Sequence, residues 1–172
     1  LQPLNDFLLS FAADIRNQNS GINELVTQTA VHLTLLGDEG FLYISFSILI
    51  GFMLYRKQYY AALFLAIGGL STAAITHSLK SILMVSRPEF VLIPPESFAY
   101  PSGHSSGATV LYGLIASFIA QELQHHQRWK CYLLFSSPIF LIAISRVVLG
   151  VHWFTDIVGG IALGLAICGL TR

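Results

Sequence analysis

Five long apolar stretches constrain the fold of this chain more than any other feature of its sequence. Each approaches the roughly 20 residues that a helix needs to cross the hydrocarbon core of a bilayer. Backbone polar groups cannot stay unpaired in lipid, so these stretches are expected to be helices. They lie approximately at Phe41–Tyr55, Tyr59–Val85, Ser102–Leu123, Cys131–Leu149 and Trp153–Leu170. The sequence therefore predicts an all-α, polytopic transmembrane helix bundle with five spans.

The composition supports a membrane protein and excludes some partners. Of the 172 residues, 54% are hydrophobic and only 10% are charged, whereas about a quarter of a soluble domain is charged. The formal net charge is zero and no basic run is present. A nucleic-acid partner is therefore not expected. The expected partner is the lipid bilayer.

The segment before the spans has a different pattern. Residues 22–36 place apolar side chains at helical spacing, and residues 4–15 form a second short apolar helix. Such patterns are typical of amphipathic helices that lie in the membrane interface or against a bundle. We therefore divide the chain into an N-terminal interfacial region, residues 1–37, and a membrane-embedded bundle, residues 38–172.

Polar residues with chemical potential occur in three separate clusters along the bundle. They are Lys80 with Arg87, then Ser102-Gly103-His104, then Arg146 with His152 and Asp156. The first cluster ends the second span, the next begins the third span, and the last joins the fourth span to the fifth. In an up-and-down bundle these four helix ends lie on one face of the membrane, so the clusters are predicted to converge on one pocket.

The residue types in these clusters suit a phosphoryl group. Lys80, Arg87 and Arg146 can bind its oxygens, Arg through two donors and Lys as a point charge. Ser102 and Gly103 lie at a helix start, where exposed N–H groups and the helix dipole favour an anion.

Two histidines and one carboxylate are candidates for catalysis. His152 and Asp156 are spaced i, i+4 and share a helix face if the helix begins by His152, so that the carboxylate can fix the imidazole tautomer, as the orienting acid does in hydrolytic triads. His104 is the second histidine. Two histidines can divide the work, one attacking phosphorus and the other protonating the leaving alkoxide.

The three clusters and their spacing resemble the signature of the type 2 phosphatidic acid phosphatase superfamily. The motifs cover residues 80–156, and the helix layout extends the resemblance to about residues 38–172. One departure is Val148, where the family often has an aromatic residue. The resemblance implies that His152 forms a phosphohistidine, Asp156 supports it, and His104 protonates the leaving lipid oxygen and then activates water. It also implies a phosphate site of Lys80, Arg87, Ser102, Gly103 and Arg146, with no metal or other cofactor.

Other interpretations of the same residues remain open at this stage. The basic residues could snorkel to the interface, and His104, His152 and Asp156 could bind a metal, although three nearby cations would repel one. The same site could belong to a lipid phosphotransferase, to a vanadate-dependent oxidase or to a non-catalytic membrane domain. The expected activity is a lipid-phosphate phosphohydrolase acting on phosphatidate, phosphatidylglycerol phosphate, undecaprenyl pyrophosphate or a lipid A phosphate.

Basic residues predict the orientation in the membrane. The loops away from the site carry Arg56, Lys57, Arg128 and Lys130, with Arg172 in the tail. On the site side, the residues outside the motifs are acidic, namely Asp38, Glu39, Glu89 and Glu96. By the positive-inside rule the site faces away from the cytoplasm, which in a bacterium means the periplasmic side of the inner membrane.

Overall fold

The structure is a computed structural model that describes residues 2–17, 21–88 and 97–170. Within these residues the chain is all-helical, as predicted. The helices are α1 Gln2–Asn17, α2 Gly21–Leu35, α3 Glu39–Tyr55, α4 Tyr59–Leu83, α5 Gly103–Glu122, α6 His125–Val148 and α7 Phe154–Leu170. Glu89, Glu96 and Arg172, which entered the orientation argument, lie outside the described residues.

Helix α5 forms the centre of the bundle and packs against α3, α4, α6 and α7. Small residues on α7 let it approach α5 closely. A Cβ atom at Gly160 would lie 2.6 Å from the carbonyl oxygen of Ser102, and one at Gly164 would lie 2.5 Å from Cβ of Thr109. Close backbone approach of this kind is how helices pack where lipid supplies no hydrophobic driving force. The start of α5 is thereby held against the start of α7.

The helices agree with the predicted spans, but the number five is approximate. By length and hydropathy, α4 and α6 can each cross a membrane, and α2 with α3 forms one further candidate bent by 42°. Helix α7 is apolar but has only 17 residues. The polar run His104-Ser105-Ser106 near the start of α5 lowers the hydropathy of that helix. This polar end of α5 lies inside the bundle at the site.

One predicted boundary differs clearly from the structure. Helix α6 begins at His125, six residues before the expected start at Cys131. The intervening residues are mostly polar, and hydropathy marks the part of a helix that fits lipid rather than the part that is helical. Helix α3 begins at Glu39, two residues before the expected Phe41, and the carboxylate of Asp38 accepts a hydrogen bond of 2.9 Å from the backbone N–H of Gly40 and so caps the helix.

The two N-terminal helices pack onto the bundle. Helix α1 contacts α6 and α7, and α2 contacts α6. The buried residues of α1 are Asn5, Leu9 and Ala12, which share one face at helical spacing. The interfacial position expected for residues 1–37 stays a prediction, since these contacts concern the bundle and not the membrane.

Candidate active site

His152 lies in the short loop between α6 and α7 and is almost completely buried, with 1% of its surface exposed. Its Nδ1 atom lies 3.1 Å from Oδ2 of Asp156, so the predicted contact between these residues is confirmed. Helix α7 begins at Phe154, so His152 precedes the helix instead of sharing it with Asp156. The same carboxylate oxygen accepts a 2.9 Å hydrogen bond from the backbone N–H of Trp153. Asp156 therefore fixes both the ring and the backbone of the loop.

Arg87 determines which ring nitrogen of His152 carries the proton. Its Nη1 atom lies 3.3 Å from Nε2 of His152. A guanidinium group can only donate hydrogen bonds, so Nε2 must accept and the ring proton resides on Nδ1, which donates to Asp156. This tautomer leaves a lone pair on Nε2, the nitrogen that is available for attack.

Arg87 and Lys80 are held by the segment between α4 and α5. Arg87 donates from Nε to the carbonyl of Ser97 at 2.8 Å and from Nη1 to the carbonyl of Val151 at 2.8 Å. Nζ of Lys80 donates to the carbonyl of Phe98. The segment is tied to the His152 loop by Trp153, whose Nε1 donates to the carbonyl of Ser86 at 2.8 Å. The first and third polar clusters are thus joined directly.

The three predicted cations all act electrostatically on the His152 ring. The pKa of His152 lies well below its ordinary value, first because the ring is buried and then because Arg146, Arg87 and Lys80 repel a proton on it. His152 is therefore neutral at physiological pH. In the described part of the chain, Glu39 acts on Lys80 and Asp38 acts on Arg146, while Asp156 lies at the ring itself, and three cations gathered at one ring favour a bound anion.

Arg146 has a partner that the sequence did not reveal. Its Nη1 atom donates a 2.8 Å hydrogen bond to Oγ1 of Thr34 on α2. Within the described residues, its buried Nε atom has no hydrogen-bond partner. An unpaired donor on a buried guanidinium is costly, so Arg146 is suited to an acceptor brought by a ligand. No local signal marks Thr34, because 112 residues separate it from Arg146.

The start of α5 supplies the remaining predicted residues. Ser102 is the N-cap of the helix, and its fully buried hydroxyl accepts hydrogen bonds from the N–H and the hydroxyl of Ser105. Its own N–H donates to the carbonyl of Asp156 at 3.0 Å, which joins the second and third clusters. Ser102 thus serves the cap, whereas the N–H groups of Gly103 and His104 lie in the first turn and have no acceptor within the helix.

His104 is placed near the catalytic groups without a fixed hydrogen bond. It interacts electrostatically with Arg146, His152, Asp38 and Arg87. In the described part of the chain its ring makes no hydrogen bond, and packing against Gly37 limits its position. A Cβ atom at Gly37 would lie 3.3 Å from Cβ of His104.

A cavity of about 620 Å³ lies along α3 and α4 and leads to this site. Its polar end is lined by Lys80, Gly103 and Glu39, and its apolar part extends to Ile50 and Leu65. His77 also lines it, one turn before Lys80. Among residues 2–17, 21–88 and 97–170, no three His, Cys, Asp or Glu side chains form a group that could hold a metal ion.

Comparison with known proteins places this arrangement among membrane phosphatases. The model of the PAP2 superfamily matches residues 59–172. Phosphatidylglycerophosphatase B of Bacillus subtilis is 35% identical over 155 residues, which are 88% of this chain and 74% of that protein.

Two solved structures are similar to the whole bundle. A transmembrane PAP2-type phosphatidylglycerolphosphate phosphatase from Bacillus subtilis superposes with a TM-score of 0.80 and 31% identity, covering 99% of this chain and 83% of that one. LpxE of Aquifex aeolicus superposes with a TM-score of 0.67 and 23% identity, covering 95% of this chain and 93% of that one. The second likeness concerns the fold alone.

Proposed function

Because this chain belongs to the PAP2 superfamily and is an integral membrane lipid-phosphate phosphatase, we propose that it acts through a phosphohistidine on His152. The observation that carries the proposal is the pair of contacts on the His152 ring. Asp156 lies at Nδ1 and Arg87 at Nε2. The ring is thus neutral and oriented, and its Nε2 lone pair, which accepts from Arg87 in this structure, lies beside three cations.

The first step is attack of Nε2 of His152 on phosphorus. The N–P bond forms as the bond from phosphorus to the lipid oxygen breaks, and His104, which enters this step as the imidazolium ion, donates a proton to the departing alkoxide and becomes neutral. The imidazole becomes cationic, and the carboxylate of Asp156 stabilises that charge. In the second step His104 takes a proton from water, and the water oxygen attacks phosphorus. The N–P bond breaks, phosphate departs, and His152 becomes neutral again.

The phosphoryl oxygens are bound by the groups that surround His152. We assign Lys80, Arg87 and Arg146 to these oxygens, together with the N–H groups of Gly103 and His104, which have no acceptor within the helix. Preorganised donors of this kind stabilise the charge on the equatorial oxygens, which is the main contribution a protein makes to phosphoryl transfer. Ser102 contributes by fixing the helix start.

The substrate we propose is phosphatidylglycerol phosphate. The similar phosphatase of Bacillus subtilis bears that name, and the cavity beside α3 and α4 joins a cationic end to an apolar one. From Glu39 to Ile50 the cavity follows α3 for about 16 Å, at 1.5 Å rise per residue. This shape suits an acyl chain whose phosphorylated head group lies at Lys80.

The orientation follows from charge. Arg56, Lys57, Arg128 and Lys130 lie at the ends of helices opposite the site, whereas Arg16, which contacts Val148, is the one cation outside the motifs that the described residues place at the site end. We therefore place the site on the periplasmic side of a bacterial inner membrane. A cysteine introduced at exposed Lys57 tests this against little background, because Cys131 and Cys168 are buried. Labelling of Lys57→Cys by an impermeant maleimide is expected only after permeabilisation; labelling in intact cells would reverse the orientation.

The main experiment is phosphate release from a panel of lipids in detergent. The panel holds phosphatidylglycerol phosphate, phosphatidate, undecaprenyl pyrophosphate and a lipid A phosphate, each with and without chelator. We expect the highest kcat/KM with the first lipid and no effect of the chelator. Preference for another lipid refutes the assigned substrate, and loss of activity with chelator refutes metal-independent catalysis.

The nucleophile is tested by trapping the intermediate. The wild-type protein is expected to carry a base-stable, acid-labile phosphate after a brief reaction, and His152→Ala to carry none and to lose activity. His126→Ala is the matched control, because His126 is exposed at the opposite end of the bundle. Phosphate release by His152→Ala at a rate near wild type would end the proposal.

A further inference from the structure

Helix α1 lies against the two helix ends that flank His152. Its buried face runs from Asn5 through Leu9 and Ala12 to half-buried Arg16, at spacings of four, three and four residues. The stripe is apolar in the middle and polar at both ends. The ends are about 16 Å apart, from eleven residues at 1.5 Å each.

Arg16 contacts the C-terminal end of α6. Its Nη1 atom donates a 2.6 Å hydrogen bond to the carbonyl of Val148, one of the last residues of the helix. Carbonyls in the last turn have no partner inside the helix, and a cation there also interacts favourably with the helix dipole. Arg16 therefore caps α6 two residues before the loop glycine Gly150.

Gly150 makes room for this arginine. A Cβ atom at Gly150 would lie 2.7 Å from Nη1 of Arg16, and the backbone there has φ of +67°, which strains any residue with a side chain. The guanidinium thus lies directly on the loop backbone between α6 and His152.

Asn5 contacts the N-terminal end of α7. Its Oδ1 atom accepts from the backbone N–H of Thr155 at 3.3 Å, and its Nδ2 atom donates to Oγ1 of Thr155 at 3.2 Å. An N–H in the first helical turn has no partner inside the helix, so Asn5 supplies an N-cap from another part of the chain. Asn5 is 4% exposed and Thr155 is partly buried, so the two bonds are partly shielded from water.

We propose that α1 is a clamp on the loop Leu149–Trp153 and that Arg16 and Asn5 are positioning residues for His152. The inference rests on the proposed role of His152 as nucleophile. Arg16 fixes where the loop leaves α6, and Asn5 fixes where it enters α7. Since the loop has only five residues, fixing both ends restricts where Nε2 meets phosphorus.

The expected consequence is kinetic. A displacement of about 1 Å between reacting atoms can cost roughly 100-fold in rate. Arg16→Ala and Asn5→Ala each leave Asp156 and Arg87 in place, so we expect a smaller loss, about tenfold in kcat, with little change in KM. Arg16→Lys keeps a donor and is expected to recover most of the rate.

Two inhibitors separate positioning from general destabilisation. Orthovanadate mimics the five-coordinate transition state and bonds to the attacking nitrogen, whereas inorganic phosphate reports ground-state binding. In Arg16→Ala and Asn5→Ala, we expect vanadate to bind more weakly in proportion to the loss of kcat/KM, with the phosphate inhibition constant unchanged. A variant that merely unfolds more easily keeps its ratio of vanadate to phosphate affinity, and that result overturns the clamp.

Arg128 provides a matched control for Arg16. Arg128 is an exposed arginine that donates to the carbonyl of Leu123 at 3.2 Å, far from His152, so Arg128→Ala removes the same kind of bond without touching the loop. We expect wild-type kcat and vanadate affinity for it. An equal loss in Arg128→Ala and Arg16→Ala would contradict the proposal.

A double-mutant cycle with Gly150→Ala provides a second measurement. Gly150→Ala should displace Arg16 and lower kcat, and adding Arg16→Ala should then cost much less than it does alone. Additive losses would show that Arg16 does not act through the loop. Phosphohistidine trapping in the wild type keeps the two hypotheses separate: without it the nucleophile is wrong, and with it a normal kcat in both α1 variants refutes only the clamp.

Discussion

The loop that carries His152 and the helix start that carries His104 support their histidines in different ways. The His152 ring has a partner on each nitrogen, Asp156 and Arg87, and the loop backbone is bonded to neighbouring segments. Within the described residues, the His104 ring has no hydrogen bond and is positioned by packing near Gly37. One histidine is oriented, and the other has unused donor and acceptor capacity.

The difference matches the two kinds of chemistry. A nucleophile must present one lone pair along one line to phosphorus, so its tautomer and direction need to be fixed. An acid and base must first donate a proton to one oxygen and later take a proton from another. A fixed hydrogen bond would compete with both transfers, so free ring nitrogens at His104 suit that role.

Asp156→Asn should have the largest effect on this comparison. The amide keeps the shape of the side chain but cannot stabilise the cationic phosphohistidine, and the ring loses its fixed tautomer. We expect kcat to fall about 10⁴-fold, the loss seen when the orienting Asp of a serine protease triad becomes Asn. The measurement is steady-state kinetics with the preferred lipid, with thermal unfolding as a control. A loss below tenfold in a folded variant would mean that orientation of His152 is unimportant.

His104→Gln should have the next largest effect, and one that depends on the leaving group. We expect about a 10³-fold loss with a lipid alkoxide, within the range for general acid catalysis. With p-nitrophenyl phosphate, whose leaving group needs no proton, formation of the phosphoenzyme should be nearly normal and its hydrolysis slow. A burst of p-nitrophenol followed by slow turnover is the expected record. Equal losses with both substrates would assign His104 a different role.

The sequence predicted the features of the fold and of the site that depend on local pattern. Apolar length located the helices, and the alternation of helix direction brought Lys80, His104 and His152 to one end of the bundle. The i, i+4 spacing of His152 and Asp156 also predicted their contact, although His152 precedes α7 and makes the contact from the loop. The helix positions and their convergence follow from the helical repeat and from the thickness of a bilayer, so one sequence is enough to find them.

The features that the sequence did not predict depend on contacts between distant segments. Asn5 and Thr155 are 150 residues apart, and Arg16 and Val148 are 132 apart. Nothing in the composition of an amphipathic helix shows which buried polar residue will cap another helix. The sequence also suggested that Ser102 binds phosphate; in the structure its hydroxyl accepts from Ser105 in the N-cap of α5, and a phosphate contact of Ser102 stays a prediction.

The pH dependence of kcat/KM tests whether burial and the nearby cations keep His152 neutral. Attack requires neutral His152, and burial together with the nearby cations holds its pKa below the ordinary 6.5. As pH falls through 6.5, His152 therefore stays neutral, and the acid limb should lie at lower pH. Arg87→Gln removes a cation that opposes protonation, so its limb should move to higher pH.

The substrate titrates equally in both assays, so the shift between the Arg87→Gln and wild-type limbs is the quantity to measure. Arg56→Gln serves as the control, because Arg56 lies at the opposite end of α3 and should leave the limb in place. A limb that stays at its wild-type position in Arg87→Gln would show that Arg87 has no electrostatic influence on His152.

Thr34→Val should have the smallest effect and tests how far support from the N-terminal helices extends beyond the His152 loop. The substitution removes the hydroxyl that accepts from Arg146 while keeping the side-chain volume. Arg146 would lose orientation rather than charge, and a hydrogen bond worth about 1 kcal/mol corresponds to about a fivefold rise in KM and in the phosphate inhibition constant. Because Arg146 binds the phosphoryl oxygens and not the ring, kcat should change less than KM.

Thr29→Val is the control for Thr34→Val. It removes a hydroxyl that donates to the carbonyl of Leu25 within α2, and it should leave both constants unchanged. A fall in kcat without a rise in KM would instead place Thr34 on the His152 side, so that α2 would act on the nucleophile as α1 is proposed to do.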